Sequence, residues 1–134
     1  MSRAIDDVVF ARLREVAGLS VFPGGEVEGQ PSRYVVVWVN SGVRSADRMT
    51  GEQANIRKTY TVHSVGSTMQ HAGWVNDRVL AQLIDFRPTV DGWSFQRLKH
   101  EVSRPAQIDR DVNPPLAYLV DQFDLYGTPQ RLEP

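Results

Sequence analysis

Tyr60-Thr61-Val62-His63-Ser64-Val65-Gly66-Ser67-Thr68-Met69-Gln70, running on to Ile84, is the stretch from which the fold is read. Tyr60 to Val65 alternates with the period of a strand, and Gly66 ends it. Ser67-Thr68-Met69-Gln70 fits a capping box, with the Ser67 hydroxyl accepting from the Gln70 amide and the Gln70 side chain reaching back. A helix follows on which Ala72, Val75, Val79, Leu83 and Phe86 share one face. Asp77, Arg78 and Gln82 lie away from the centre of that face. A strand that hands its chain directly to a helix over the same sheet predicts a two-layer α+β domain.

The chain has 134 residues, 41% hydrophobic and 23% charged, which is the size and balance of one soluble domain. The formal net charge of −1 argues against a broad electrostatic grip on nucleic acid, which needs clustered excess Lys and Arg. The chain has no Cys, which removes disulfides, thiolate nucleophiles and zinc–thiolate sites. Asp6 and Asp7 stand where a signal peptide would carry its apolar run, so no secretion signal is expected. The longest apolar run, Val35 to Val39, is far short of a membrane span.

Working outward, residues 4–17 predict a first helix, with Ile5, Val9, Leu13 and Val16 as its stripe and Val8 widening it. Ser2 fits its N-cap and Gly18 its C-cap. Val21-Phe22 predicts a short strand ended by Pro23-Gly24-Gly25. Arg33 to Asn40 is apolar at both parities, with Tyr34, Val36 and Trp38 on one side and Val35, Val37 and Val39 on the other. Such a strand is covered on both faces, one by helices and the other by a cover such as a neighbouring subunit. Ser41 to Gln53 reads as a long polar loop.

Asn55 to Val65 is two-sided, with Ile56, Tyr60 and Val62 inward and Arg57, Thr59, Thr61 and His63 outward. Beyond the second helix, Pro88 blocks continuation and Asp91-Gly92 marks a tight turn. Ser94 to Val102 reads as a mixed strand, with Leu98 and Val102 at one parity. Pro105 to Pro115 reads as a second loop, Leu116 to Tyr126 as the last strand, and the residues from about 128 as a short tail. The expected class is therefore α+β, one domain over 1–134. It has a mainly antiparallel sheet with two helices packed on one face, in the order α-β-β-β-α-β-β.

Catalytic patterns are sparse. Val62-His63-Ser64-Val65-Gly66 resembles a nucleophile elbow whose first small residue is replaced by Val62, which leaves a small hydrolase using Ser64 and His63 as a remote alternative. His63, His71 and His100 lack metal-ligand spacing, and no phosphate-cradling Gly motif is present, so no metal, cofactor or catalytic residue is assigned. Arg44, Arg48, Arg57 and Lys58 make a loosely basic stretch. It reads either as a solvated rim or as a contact for an acidic surface or passing DNA. Tyr34, Trp38, Trp74, Trp93, Tyr118 and Tyr126 are more aromatic mass than one small core requires, and some of them fit interface anchors.

Arg57 to Gly66 with Ser67-Thr68, then Ala72, Val75, Asp77-Arg78-Val79 and Leu83, form one block of a wider pattern. Phe86-Arg87-Pro88-Thr89-Val90-Asp91-Gly92-Trp93 forms a second. Asp109-Arg110-Asp111 through Pro114-Pro115, followed by Tyr118 to Asp121 and Phe123 to Gly127, forms the third. Together they resemble the tail terminator, or tail completion, proteins of long-tailed bacteriophages, in the form found in phages of actinobacteria. The resemblance covers roughly residues 4–127.

It implies a structural virion protein and not an enzyme. Such a protein forms a homohexameric ring on the last layer of the tail tube, ends tube growth and joins the head-completion or neck protein. Genome DNA would pass through the lumen without sequence readout. The alternative within the same class is another neck component, such as a head-completion or tail-tube-like protein. The location implied is the virion tail or neck, with assembly in the host cytoplasm. A closed ring needs two different patches per subunit. Candidate subunit or partner contacts are Arg44, Arg48, Met49 and Arg57 around the first loop, and Arg104, Ile108, Arg110 and Tyr118 around the second.

Overall fold

In a computed structural model, the structure describes residues 2–24, 27, 29, 31–40, 43–44, 55–112 and 114–129. The element order is α1 (Ser2–Arg14), β1 (Ser20–Pro23), β2 (Arg33–Val39), β3 (Val43–Arg44), β4 (Ile56–Gly66), α2 (Met69–Leu83), β5 (Trp93–Phe95), β6 (Lys99–Ser103), β7 (Gln107–Asp109) and β8 (Leu116–Pro129). The expected α+β class and element order hold, with short strands added inside both polar loops and the expected 94–102 strand divided into β5 and β6. No helix among the described residues is long and apolar enough to cross a membrane.

Two long antiparallel strands, β4 and β8, form the middle of the sheet, paired from Ile56↔Gly127 to Gly66↔Ala117. Each is flanked by an interrupted strand. Along β4 run β2, from Arg33↔Gly66 to Val39↔Tyr60, and then β3, with Val43↔Arg57. Along the far edge of β8 run β5, β6 and β7 in succession, all antiparallel to it. The amides of Gln96 and Arg104 bridge their gaps by donating to Tyr126 and Val120 carbonyls at 2.9 Å. β1 adds the only parallel pairing among the described strands, to β2.

Residues directly opposite across a pair share a face. Val35 and Val37 of β2, Ile56, Tyr60 and Val62 of β4, and Phe123 and Leu125 of β8 therefore point one way, and all are buried. Ile5, Val9, Phe10 and Leu13 of α1 and Val75, Val79 and Leu83 of α2 meet them in one core. The predicted stripe of α2 is correct through Leu83. Ile84 then turns to extended backbone and Asp85 takes a positive φ of 63°, a conformation Asp tolerates better than most residues. Phe86 therefore lies past the helix. Gly92 takes φ +86° in the predicted Asp91-Gly92 turn.

Further expectations need correction. The first helix runs over Ser2–Arg14, so Ser2 lies within it and Val16 beyond its end. The N-cap of α2 is Thr68, whose hydroxyl accepts from the His71 amide at 3.1 Å. Ser67 instead contacts His71 Nδ1 at 3.0 Å, because β4 carries the chain through Gly66 before the helix can begin. Leu98 is buried but Val102 is exposed, since a register shift between His100 and Val102 reverses the parity. Thr128 and Pro129 pair with Ser94 and Trp93 as the end of β8, not as a tail. Lys58, grouped by sequence with the rim arginines, is fully buried. It shares the inward parity of Ile56 and Tyr60, and its Nζ lies 2.6 Å from Asp6 Oδ1.

Candidate interaction surface

The face of the sheet away from the helices carries the alternate residues of the same strands. On β2 these are Tyr34, Val36 and Trp38; on β4, Thr61, His63 and Val65; on β8, Tyr118. The second face of β2, expected to be covered, is only partly so. Val36 is buried, whereas Trp38 is 48% exposed. Part of that cover comes from the chain itself, because the backbone at Gly24 lies so close to the Trp38 indole that a Cβ there would fall 2.4 Å from Cε3.

His63 sits in the middle of this face. Its ring stacks on Tyr118 at 6.2 Å and 9°, and Trp38 lies 6.5 Å away. The Tyr118 hydroxyl donates to Gln107 Oε1 at 2.8 Å, tying β8 to β7. Val27, Tyr34, Val36, Val65, Asp109 and Leu116 complete a largely apolar groove of about 370 Å³ with these aromatics. Burial and the nearby Asp109 carboxylate raise the Tyr34 phenol.

Burial pushes the His63 imidazole below the ordinary histidine range. The unfolded chain takes up this proton near pH 6.5, about the usual value, while the folded chain resists it. The unfolded state then binds more protons, so stability falls as pH drops from about 6.5 towards the lowered folded value. His63→Gln is expected to flatten that part of the acid dependence. Melting temperatures between pH 7.5 and 5 check it; an unchanged slope would mean that His63 titrates normally.

Ser64 is adjacent to His63 and therefore points to the opposite face. It is fully buried beneath the helices, and its Oγ has no hydrogen-bond partner. The remote hydrolase reading fails on this geometry, since strand alternation places the two side chains on either side of the sheet. The three histidines are likewise dispersed. His71 lies at the start of α2, and His100 on β6 contacts Asp121 Oδ1 at 2.8 Å while stacking on Phe123. Among the described residues no group of three metal-ligating side chains converges.

The candidate contact residues separate into two groups. Ile108, 47% exposed, and the exposed Arg110 lie at one end, beside the half-buried Tyr118. Arg104 is exposed in the gap between β6 and β7. Arg57 is exposed at the other end, opposite Tyr126. Tyr118 and Tyr126 are eight residue steps apart along β8, about 27 Å, so the two groups do not form one patch. The Arg44 backbone pairs with Ile56 at the Arg57 end, and Arg48 and Met49 lie outside the described residues.

Sequence reading missed a buried polar link. Asn76 of α2 donates to Asp121 Oδ2 at 2.5 Å, and the same carboxylate holds His100. One fully buried Asp thus joins helix, central strand and edge strand. In the sequence Trp74 is one surplus aromatic among several, yet the guanidinium carbons of Arg33 and Arg78 lie 4.2 and 5.2 Å from its ring centroid. The Trp74-to-Arg78 spacing of four was a local signal for half of that arrangement; Arg33 carried none.

No protein-family model matches the chain, and no curated protein matches its sequence. Solved structures do match its fold, and two of them serve as examples. A chain of "Virion of native gene transfer agent (GTA) particle" is 14% identical, with a TM-score of 0.66 over 92% of this chain and 93% of that one. A second is 12% identical, with a TM-score of 0.68 over 97% and 95%. At these identities the likeness is one of fold, and it extends over nearly the whole of each chain.

Proposed function

We propose that this protein is a structural component of a phage-like virion, and that within it the chain acts as a tail terminator. In this reading six copies ring the head-proximal end of the tail tube, end its growth and present a joining surface to the neck. The observation that carries the reading is the fold shared, almost end to end, with a chain of a gene transfer agent virion. Two features agree with it. An aromatic sheet face with a half-exposed Trp38 has the composition of a protein contact. The separation of Ser64 from His63 leaves the one catalytic pattern in the sequence without a working geometry.

The test is assembly. Light scattering across concentration, with particle images, is expected to give six-fold rings, either in solution or on the ends of purified tail tubes. Binding at tube ends that halts further polymerisation supports the terminator. Binding along the tube or to head portals alone would point to another neck component. Protein that neither forms rings nor binds any tail or head structure would sink the virion reading.

A further inference from the structure

Arg33 is the first residue of β2 and lies on its helix-facing side; Trp74 and Arg78 are one turn apart on α2. Both guanidiniums lie over the one indole, at cation–π distance. Gly18 of the α1–β1 connection lies alongside, within 3.9 Å of the Arg33 Nη2 for a Cβ built there. Three parts of the fold therefore hold this cationic pair. Among the described residues neither guanidinium has a carboxylate partner. Glu15 lines the adjoining hollow of about 440 Å³ together with Trp74 and Arg78. Its Oε2 is already engaged by Arg12 at 3.2 Å and by Gln82 at 3.3 Å. Two like charges on one ring repel, and an incoming carboxylate relieves that repulsion while gaining charge-assisted hydrogen bonds.

A matching acid lies on the far side of the same sheet, beside β8. Arg33 pairs with Gly66, Gly66 with Ala117, and Ala117 with Ile108 of β7. The cationic stack and the loop after β7 are thus at the same level along the strands, three strand spacings apart, about 14 Å. That loop turns tightly, with the Asp111 amide donating to Asp109 Oδ1 at 3.0 Å, and it presents Arg110 and Asp111 to solvent. Neighbours in a closed ring are related by rotation without rise, so a heterologous contact joins two different patches at one level. Strands aligned with the ring axis meet that condition.

We propose that the Arg33–Trp74–Arg78 stack of one subunit receives the Asp111 carboxylate of the next. The exposed Asp77, beside Arg78, gives the neighbouring Arg110 an acid to face. This proposal rests on the ring reading above and names the interface that closes the ring. A stacked Trp flanked by Arg has the residue types that dominate binding energy at interfaces.

The test is a charge swap in the full-length protein. Arg78→Glu and Asp111→Arg are each expected to raise the concentration of half-assembly by about tenfold or more, through like-charge juxtaposition. The double variant is expected to return to within about threefold of the parent, the mark of direct coupling. Both positions are exposed, so melting temperatures taken below the parent's half-assembly concentration should match across the parent and the three variants, which separates assembly from folding. Assembly of the parent should also weaken with added salt. If the parent forms rings and the single variants do too, this interface is wrong while the ring stands. Loss in both singles without recovery in the double, or loss in Arg78→Glu alone, overturns the pairing; the latter points to another anion, such as a phosphate. A parent that never assembles, even on tube ends, overturns both readings.

Discussion

Gly66→Ala is expected to lower the stability of the fold by about 3 kcal/mol, at the upper end of overpacking costs. The added methyl would fall 2.3 Å from the Ala72 amide nitrogen and 2.7 Å from the His71 carbonyl carbon. These are backbone atoms of the first turn of α2, not the ends of flexible side chains. The turn cannot retreat cheaply. The Thr68 hydroxyl holds the His71 amide, and the Thr68 carbonyl accepts from Ala72 at 3.0 Å. The Ser67 amide also donates to Ser32 at 2.9 Å, tying the connection to β2. Urea unfolding should show a lower midpoint at an unchanged slope.

The same substitution seven residues later should have the opposite sign. Gly73 lies within α2, and a Cβ there meets nothing within 4 Å. Gly73→Ala is expected to stabilise by up to about 1 kcal/mol through helix propensity. Equal effects at the two positions would mean that the packing of α2 against the end of β4 is not as described.

Asp6→Ala is the second large effect, expected to cost about 3 kcal/mol, the lower end for breaking a buried pair. The Asp6 carboxylate meets the fully buried Lys58 ammonium at 2.6 Å and accepts from the Tyr60 hydroxyl at 2.9 Å. It is how the start of α1 is fastened to β4. Burial and this same carboxylate drive the Tyr60 phenol strongly upward, so the hydroxyl stays protonated and remains a donor. Removing Asp6 takes the carboxylate from an ammonium that solvent does not reach. Replacing both charges with apolar side chains, as in Asp6→Leu with Lys58→Met, is expected to cost much less than Asp6→Ala, because the desolvated charge goes too. Calorimetry of the single and double variants decides it. Additive losses would mean that the two side chains are not coupled.

The connection between β4 and α2 shows where local pattern suffices. Ala72, Val75, Val79 and Leu83 recur at helical spacing, and all four are buried as that spacing requires. The alternation of Ile56, Tyr60 and Val62 placed their strand face correctly for the same reason. The cap slipped by one residue because Ser67 and Thr68 are both good N-caps. The choice between them depends on how far β4 runs, which pairing with β2 and β8 settles. The edge formed by β5, β6 and β7 was harder to read. A bulge near Glu101 reverses its parity, and its pairing comes almost entirely from a strand that follows it in the chain.

The contact surfaces divide in the same way. The aromatics at 34, 38, 74, 93, 118 and 126 were visible as surplus, but only Trp93 among them is buried. Which of the others meet depended on strand order. His63 stacks on Tyr118 because β4 lies beside β8, and Arg33 reaches Trp74 because α2 crosses the end of β2.

The order of elements, the inward faces of α2 and β4 and the turn at Asp91-Gly92 followed from residue order alone, because each reflects interactions within a few positions along the chain. The depth of Lys58, the Asn76–Asp121–His100 link and the Arg33–Trp74–Arg78 stack arose only when distant elements packed together. A charge does not record in its own sequence neighbourhood whether a partner from elsewhere in the chain will meet it out of water.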